Sequence, residues 1–462
     1  MWVIPGAPLE AGRGWRIWYS QSGTQDFAPQ PVDVRLAGVP QALKRSDRDW
    51  NLFAAAGLSR RMGVLTVELE QPRPGKLYEI RTPEAGSFFW RSLPDQVGDG
   101  VSFILASCCW LPADKEGAYA RAIEQLGKVG DTPPFKLLIG DQVYQDYPPR
   151  KPAPDMKKVF TERYEEYWGH APYRTVLQSS PNFFTSDDHE FWNNFPERQL
   201  WIPYTWDRFR EASGDAARTT YHHFQHGANP GERAYCHFAI EPVSFFVSDA
   251  RSERDDIAAE NPHFFSDEQW AELESWADEL QGPGVLVLAQ PLFDREGGKT
   301  DRSLASFKKD YGRLCAVFDR ALQKRPPHDI LILTGDIHTG RYARATLAGV
   351  RGGEVHEFVA SPVSRVGPFV MKAKPKRTPV RFDTEHETAR RRWDVADSDR
   401  APTVDNNIAL VRMTPGTNDR IRFELGLWRV RPHSDSVYWE RLIGRRRGGD
   451  VIPIFSKEIE LR

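Results

Sequence analysis

Six short apolar runs between residues 101 and 334 constrain this chain more than any other feature: Val101–Ala106, Phe135–Ile139, Asn182–Thr185, Val243–Val247, Val285–Ala289 and Ile330–Thr334. They are too short for buried helices and too continuously apolar for strands with one wet face, so they predict strands buried on both sides. Amphipathic helices separate them. Ser266 is placed to cap one, with Gln269 expected to reach back to it, and Trp270, Leu273, Trp276 and Leu280 form its apolar stripe. Leu304, Phe307, Tyr311, Leu314, Phe318 and Leu322 form the stripe of the next. Alternation of this kind predicts an α/β fold in which a parallel or mixed sheet is covered by helices on both faces.

The first 98 residues have a different pattern. Short alternating runs such as Val32–Leu36 and Val64–Leu69, punctuated by Pro72-Arg73-Pro74-Gly75, predict a small all-β sandwich, with a helix conceivable only at Trp50–Arg61. Pro94–Gly98 reads as the linker, which places an N-terminal domain at 1–98 and a catalytic domain at 99–462. Within the latter, the charged, proline-broken stretch 372–407 reads as a lid or surface loop. Strand-like runs return at Ile408–Met413 and Ile421–Val430, before a basic tail containing Arg445-Arg446-Arg447 that reads as solvated surface.

Whole-chain composition removes several classes of function. Lysine and arginine total 62 against 64 acidic residues, a net charge of -2, which offers no field for nucleic acid or membrane as the main partner. Four cysteines are too few for a secreted disulfide framework. No apolar stretch approaches the roughly 20 residues of a membrane span, and no export signal is visible, so the expected location is the cytoplasm.

Chemically capable side chains collect at the carboxyl end of each run. The strands lead into Ser107-Cys108-Cys109, Gly140-Asp141-Gln142-Val143-Tyr144, Asp187-Asp188-His189-Glu190, Asp249-Ala250-Arg251, Gln290 and Gly335-Asp336-Ile337-His338. In open α/β sheets, ligands bind at the carboxyl ends of strands, where such loops converge. If Asp141, Asp188 and Asp336 meet, with Cys108 and Tyr144 as further anions, the cluster stays ionised only beside cations. Two metal ions would compensate it, activate a water and stabilise in-line phosphoryl transfer. The mixed donor set suggests a hard cation beside iron, with manganese or zinc also compatible.

These segments, together with Asn193-Asn194 and Asp249–Arg254, resemble the alkaline phosphatase D (PhoD-like) family, a branch of the calcineurin-like metallophosphoesterases, over roughly residues 100–365. The resemblance implies a metallophosphoesterase-type sandwich of mixed sheets flanked by helices, preceded by a small β-sandwich. It implies that Cys108, Asp141 and Tyr144 hold one metal, Fe3+ in this family. Asp141 would bridge to a second, typically Ca2+, shared with Asp188, Asp336 and His338, with Asn193 nearby. It implies His189 as general acid and Arg251 as the clamp on the phosphoryl oxygens. Where the wider superfamily opens with Asp-x-His, this chain has Ser107-Cys108-Cys109.

The expected activity is therefore metal-dependent hydrolysis of a small-molecule phosphate ester. A phosphodiester is the alternative substrate, with nucleic acid entering only in that role, and a binding protein that keeps the fold without catalysis is the competing class. Oligomeric state is left open. Cys236 and Cys315 read as core. Asp187 and Asp249 read as supports rather than ligands. His222, His223 and His226 have zinc-like spacing, but a strand over Tyr221–Gln225 would send His222 and His223 to opposite faces, so no separate zinc site is expected there.

Overall fold

A computed structural model describes residues 1–23, 26–28, 31–44, 50–53, 60–114, 116–129, 132–294, 302–348, 353–364, 381–386, 389–397, 403–430 and 453–462. All six apolar runs form strands: Val101–Ala106, Lys136–Ile139, Asn182–Thr185, Val243–Val247, Gly284–Val287 and Ile330–Thr334. The first three lie parallel in a six-stranded sheet that continues antiparallel through Asn407–Pro415, Ile421–Arg429 and Phe455–Leu461. The other three lie parallel in an eight-stranded sheet, flanked on one side by Cys236–Ile240 and on the other by Val355–Val359, Arg341–Leu347, Ala389–Asp397 and Arg381–His386.

Side chains alternate between the two faces of each strand, and burial on both explains why the runs are largely apolar. Phe103, Leu105, Leu137, Ile139 and Phe183 face the second sheet, meeting Phe245, Val247, Val285, Val287, Leu331 and Leu333 in one core between the sheets. Ile104, Ala106, Leu138 and Phe184 face outward onto helices Ala118–Val129, Met156–Gly169 and Ala171–Gln178. On the far side Phe246, Leu286, Ile330 and Ile332 pack on helices Asp267–Glu279 and Lys308–Gln323. The result is a helix–sheet–sheet–helix sandwich, the mixed α/β architecture the resemblance implies; each sheet carries helices on one face and the other sheet on its second, not helices on both faces as the alternation alone suggests.

At the N-terminus, one antiparallel sheet contains Trp2–Leu9, Gly14–Ser22 and Arg60–Leu69, and a second contains Asp33–Leu36, Leu77–Thr82 and Gly86–Arg91. Trp15, Ile17, Tyr19, Val67, Tyr78, Ile80 and Trp90 fill the space between them. The outer face of the first sheet is apolar too: Ile4, Trp18 and Val64 join the helical layer of the main sandwich. Hydrogen bonds from Asn182 Nδ2 to the Pro5 carbonyl (2.6 Å) and from Trp18 Nε1 to the His223 carbonyl (2.8 Å) fix the junction.

Four local expectations differ from the structure. Trp50–Phe53 and the residues from Arg60 are strands paired with each other, not ends of a helix, because their register buries Phe53 and Met62. Tyr221–Gln225 is not a strand but the last turn of helix Asp207–Phe224 and its cap. Residues 381–386 and 389–397 of the supposed loop form a hairpin that extends the eight-stranded sheet, with Trp393 and Val395 buried against the helical layer. Residues 372–380, 398–402 and the basic tail lie outside the described residues. Ser266 does cap its helix, accepting from the Gln269 N–H at 3.4 Å, but the Gln269 side chain turns away to hold the Asp249 backbone instead.

Candidate metal centre

The parallel strands of both sheets end on the same side, and hydrogen bonds stitch those ends together. Ser107 Oγ donates to the Ala360 carbonyl (2.8 Å), and Thr185 Oγ1 to the Ser248 carbonyl (2.5 Å). Both Gly-Asp pairs need their glycine for this approach. A Cβ on Gly140, whose φ is +77°, would sit 2.5 Å from the Asp187 Cβ, and one on Gly335 would collide with the Ser107 side chain.

The residues next to these glycines and strand ends are bent into unusual conformations. Cys108, Asp141, Asn194, Asp336 and His338 all have φ between 50° and 61°, the left-handed region that costs an L-residue of order 1–3 kcal/mol each. Five such positions gathered at the strand ends mean that the surrounding packing holds these side chains in place at a cost to stability.

Asp141 is the centre of the cluster. Its Oδ2 lies 3.4 Å from Cys108 Sγ and 3.3 Å from the Tyr144 hydroxyl, and its Oδ1 accepts from the His189 N–H at 3.3 Å. Tyr144 Oη is in turn 3.4 Å from His338 Nε2. Donors about 2–2.3 Å from a common ion stand about 3–3.6 Å apart, so these spacings suit a shared cation. Two overlapping groups result: Cys108, Asp141 and His338, then Asp141, Asp188 and His189, with Asp141 common to both.

The electrostatics favour cations as well. Burial pushes the Asp141 carboxyl well up, against the pull of His189, and Asp188, Asp187 and Glu190 add to the rise. Burial followed by Asp141 does the same to the Cys108 thiol and the Tyr144 phenol. Burial would lower the His189 pKa, but Asp146, Asp188 and Asp141 outweigh it and raise the value. Asp188 runs the other way, held below its ordinary value despite burial because His189 and Arg251 stand near it. With Asp141, Cys108 and Tyr144 resisting ionisation while His189 holds a proton, the site is short of positive charge, and two cations would reverse those shifts. The residues therefore fit the metals that the sequence implies.

The other expected residues take up positions around this cluster. His338 stands with Cys108, Asp141 and Tyr144, and both it and Asp336 have left-handed backbones. Asp336 accepts from Gln290 Nε2 at 3.0 Å, and its carbonyl lies 3.5 Å from Cys108 Sγ. Asn193 is half-buried and gives its backbone N–H to Asp146, whereas Asn194 donates its own to Asp188 Oδ2 at 2.5 Å. Arg251 is 1% exposed: its Nε donates to Asp187 Oδ1 at 2.7 Å and its NH1 to the Phe195 carbonyl. Asp249 accepts from the Arg251 and Ser252 N–H groups, a turn support rather than a ligand. Among the described residues no cysteines pair, and Cys236 and Cys315 are buried in apolar clusters.

Sequence reasoning assigned no role to three residues that the structure brings to the site. Asp146 receives His189 Nδ1 at 2.7 Å, and the ring stacks on Tyr144 at 4.2 Å, which turns Nε2 to the working side. Glu190, fully buried and pushed up to about 7 by burial, accepts from the Asp141, Gln142 and Asp187 N–H groups and so locks two ligand loops together. Ser361 places its hydroxyl 3.2 Å from Cys108 Sγ. Only the position of Glu190 inside Asp-Asp-His-Glu hinted at any of them; Asp146 and Ser361 depend on contacts across the fold.

Comparison with known proteins bears on the family resemblance and on the fold. The model of a family described as PhoD-like phosphatase matches residues 103–283. Among solved structures, one titled as the structure of PhoD aligns with a TM-score of 0.62 at 15% identity, covering 100% of this chain and 91% of that chain. Identity that low shows the fold alone. A xylanase from Cellvibrio japonicus in complex with xylopentaose reaches a TM-score of only 0.15 at 8% identity, over 73% of this chain and 61% of its own, and carries no argument. No curated protein matches the chain.

Proposed function

We propose that this chain, whose residues 103–283 match the PhoD-like phosphatase model, hydrolyses phosphate esters at a two-cation site built on Asp141. The observation that carries the reading is the shared carboxylate: one buried aspartate belongs to both ligand groups, as a bridge between neighbouring ions would. Cys108, Asp141, Tyr144 and His338 would hold one cation, and the thiol–phenol–imidazole set suits ferric iron. Asp141 and Asp188, with Asp336 and Asn193 beside them, would hold the second; oxygen donors suit calcium, and manganese or zinc also fit. When bound, the pair would supply an activated water and absorb the charge that develops on the phosphoryl group.

The protein's own residues do the rest. Asp146 fixes His189 by its Nδ1 so that Nε2 can deliver a proton to the leaving oxygen. Its place in the second ligand group also makes His189 a potential ligand, and the Asp146 contact, which occupies Nδ1, supports the acid role. Arg251, behind Asp187, lends positive charge from the interior and keeps that loop in place.

The leaving-group series tests this. His189→Ala should reduce turnover of alkyl phosphates by about 10²–10⁴-fold, the usual worth of a general acid. Activated aryl phosphates, whose leaving group needs no proton, should lose far less. Equal losses on both would remove the acid role and favour His189 as a ligand. The same assays run on mono- and diesters side by side give the substrate class.

A further inference from the structure

Helix Asp207–Phe224 ends in a pair of imidazoles that the phosphoester site does not use. His222 lies in its last turn and His226 one turn further on, and their Nδ1 atoms are 3.4 Å apart with the ring planes at 82°. That is long for a hydrogen bond between ring nitrogens. Two nitrogens each about 2.05 Å from one tetrahedral ion would stand about 3.3 Å apart, whereas square-planar coordination would draw them to about 2.9 Å. We propose that His222 and His226 form a separate binding site for a zinc-class divalent cation. The strand reading that argued against this site fails because the segment closes a helix, and the turn that follows brings His226 back beside His222.

The surroundings suit a cation. Both histidines are half-buried on the wall of a cavity of about 570 Å³ that Glu253 and Glu268 also line. Arg218 and Arg233 line it too, but each is paired with an acid, Asp215 and Glu272 respectively. The carbonyl end of the helix adds a negative dipole. Among the described residues no third His, Cys or carboxylate atom lies within 4.8 Å of both nitrogens, so water, or a carboxylate swinging in from Glu253 or Glu268, would complete the coordination. His223 takes no part. Its ring is buried and stacks on Phe53 at 4.9 Å, against which His222 packs edge-on at 5.2 Å.

The consequence is structural. The turn His226–Ala228 carries the junction with the N-terminal sheet: the Gly227 carbonyl accepts from Arg16 NH2 at 2.9 Å, and a Cβ on Gly6 would lie 2.5 Å from the Ala228 carbonyl oxygen. A cation held by His222 and His226 would tie the helix end to this turn and so brace the contact between sheet and helices.

Zinc ions titrated into the purified protein, with its phosphoester site already loaded, test the proposal. One further equivalent should bind and raise the melting temperature. His222→Gln and His226→Gln should each weaken that equivalent at least tenfold, leaving turnover and the melt in EDTA at the parent's values. Cobalt(II) in place of zinc should give a tetrahedral visible band that both variants lose. A measurement on the parent alone guards against variants that fold badly: zinc should protect His222 and His226 from diethyl pyrocarbonate, read by peptide mass spectrometry. Unchanged zinc affinity in both variants, or unprotected histidines in zinc-loaded parent, would overturn the site.

Discussion

A carboxylate that meets a thiol and a phenol on one oxygen and a backbone N–H on the other is oriented before any cation arrives. Asp141 is held in this way, and Glu190 pins its loop from below. The sequence made the candidate ligands visible because each lies shortly after an apolar run, but not their supports, since Asp146, Glu190 and Ser361 act through contacts that no local pattern encodes. Arg251 shows the same gap. Its motif suggested a hand on the phosphoryl oxygens, while its Nε and NH1 are spent on Asp187 and Phe195 in the interior. Arg251→Ala would leave the Asp187 carboxylate buried without its partner, a change that costs about 3–5 kcal/mol. Urea unfolding should register that loss, whereas parent-like stability with a raised KM would show that the side chain works on substrate.

At the scale of elements, the strand ends must approach closely for the two halves of the site to meet. Gly140→Ala puts a methyl group against Asp187 and forces an L-residue to φ +77°. Overpacking of this kind costs about 1–3 kcal/mol, and the variant should also bind less metal as the loops part. Parent-like unfolding and metal content would show that the loops have slack. The same scale decides how legible the fold was. Central strands and the helices over them were readable because burial on two faces, or on one stripe, leaves a strong period. The hairpin of residues 381–386 and 389–397 was not, because an edge hairpin with mostly charged residues gains its stability from pairing with Arg341–Leu347 rather than from its own pattern. The end of helix Asp207–Phe224 was misread for a related reason: Tyr221 to Gln225 is a window too short to show the helical period that Ala217, Tyr221 and Phe224 reveal when buried together.

Across the whole molecule, two buried histidines with lowered values contribute a loss of stability in acid. Burial, then Arg344 and Lys457, pushes His356 down to about 3, where its Nδ1 sits 2.7 Å from the Tyr342 hydroxyl; burial, then His222 and Lys157, takes His223 to about 4. The unfolded chain protonates these rings near 6.5. Their contribution is therefore intact above about pH 6.5 and is lost progressively as pH falls toward 4, by at most about 1.4 kcal/mol per pH unit for each ring. Buried carboxylates with raised values act in the opposite sense, so the difference between parent and His356→Gln is the quantity to read. The variant should lose less stability than the parent between pH 6.5 and 4, and parallel curves would contradict a buried neutral ring. The central claim, a two-cation centre bridged by Asp141, is tested most directly by elemental analysis of protein purified without added metals or chelators, parent beside Asp141→Asn, each in a His222→Gln background. The account predicts about two metal equivalents per chain in the parent, with iron among them and a visible charge-transfer band from thiolate or phenolate, and the loss of both in Asp141→Asn. Full metal retention in that variant, or a parent that neither carries nor takes up iron, calcium, manganese or zinc, would contradict it.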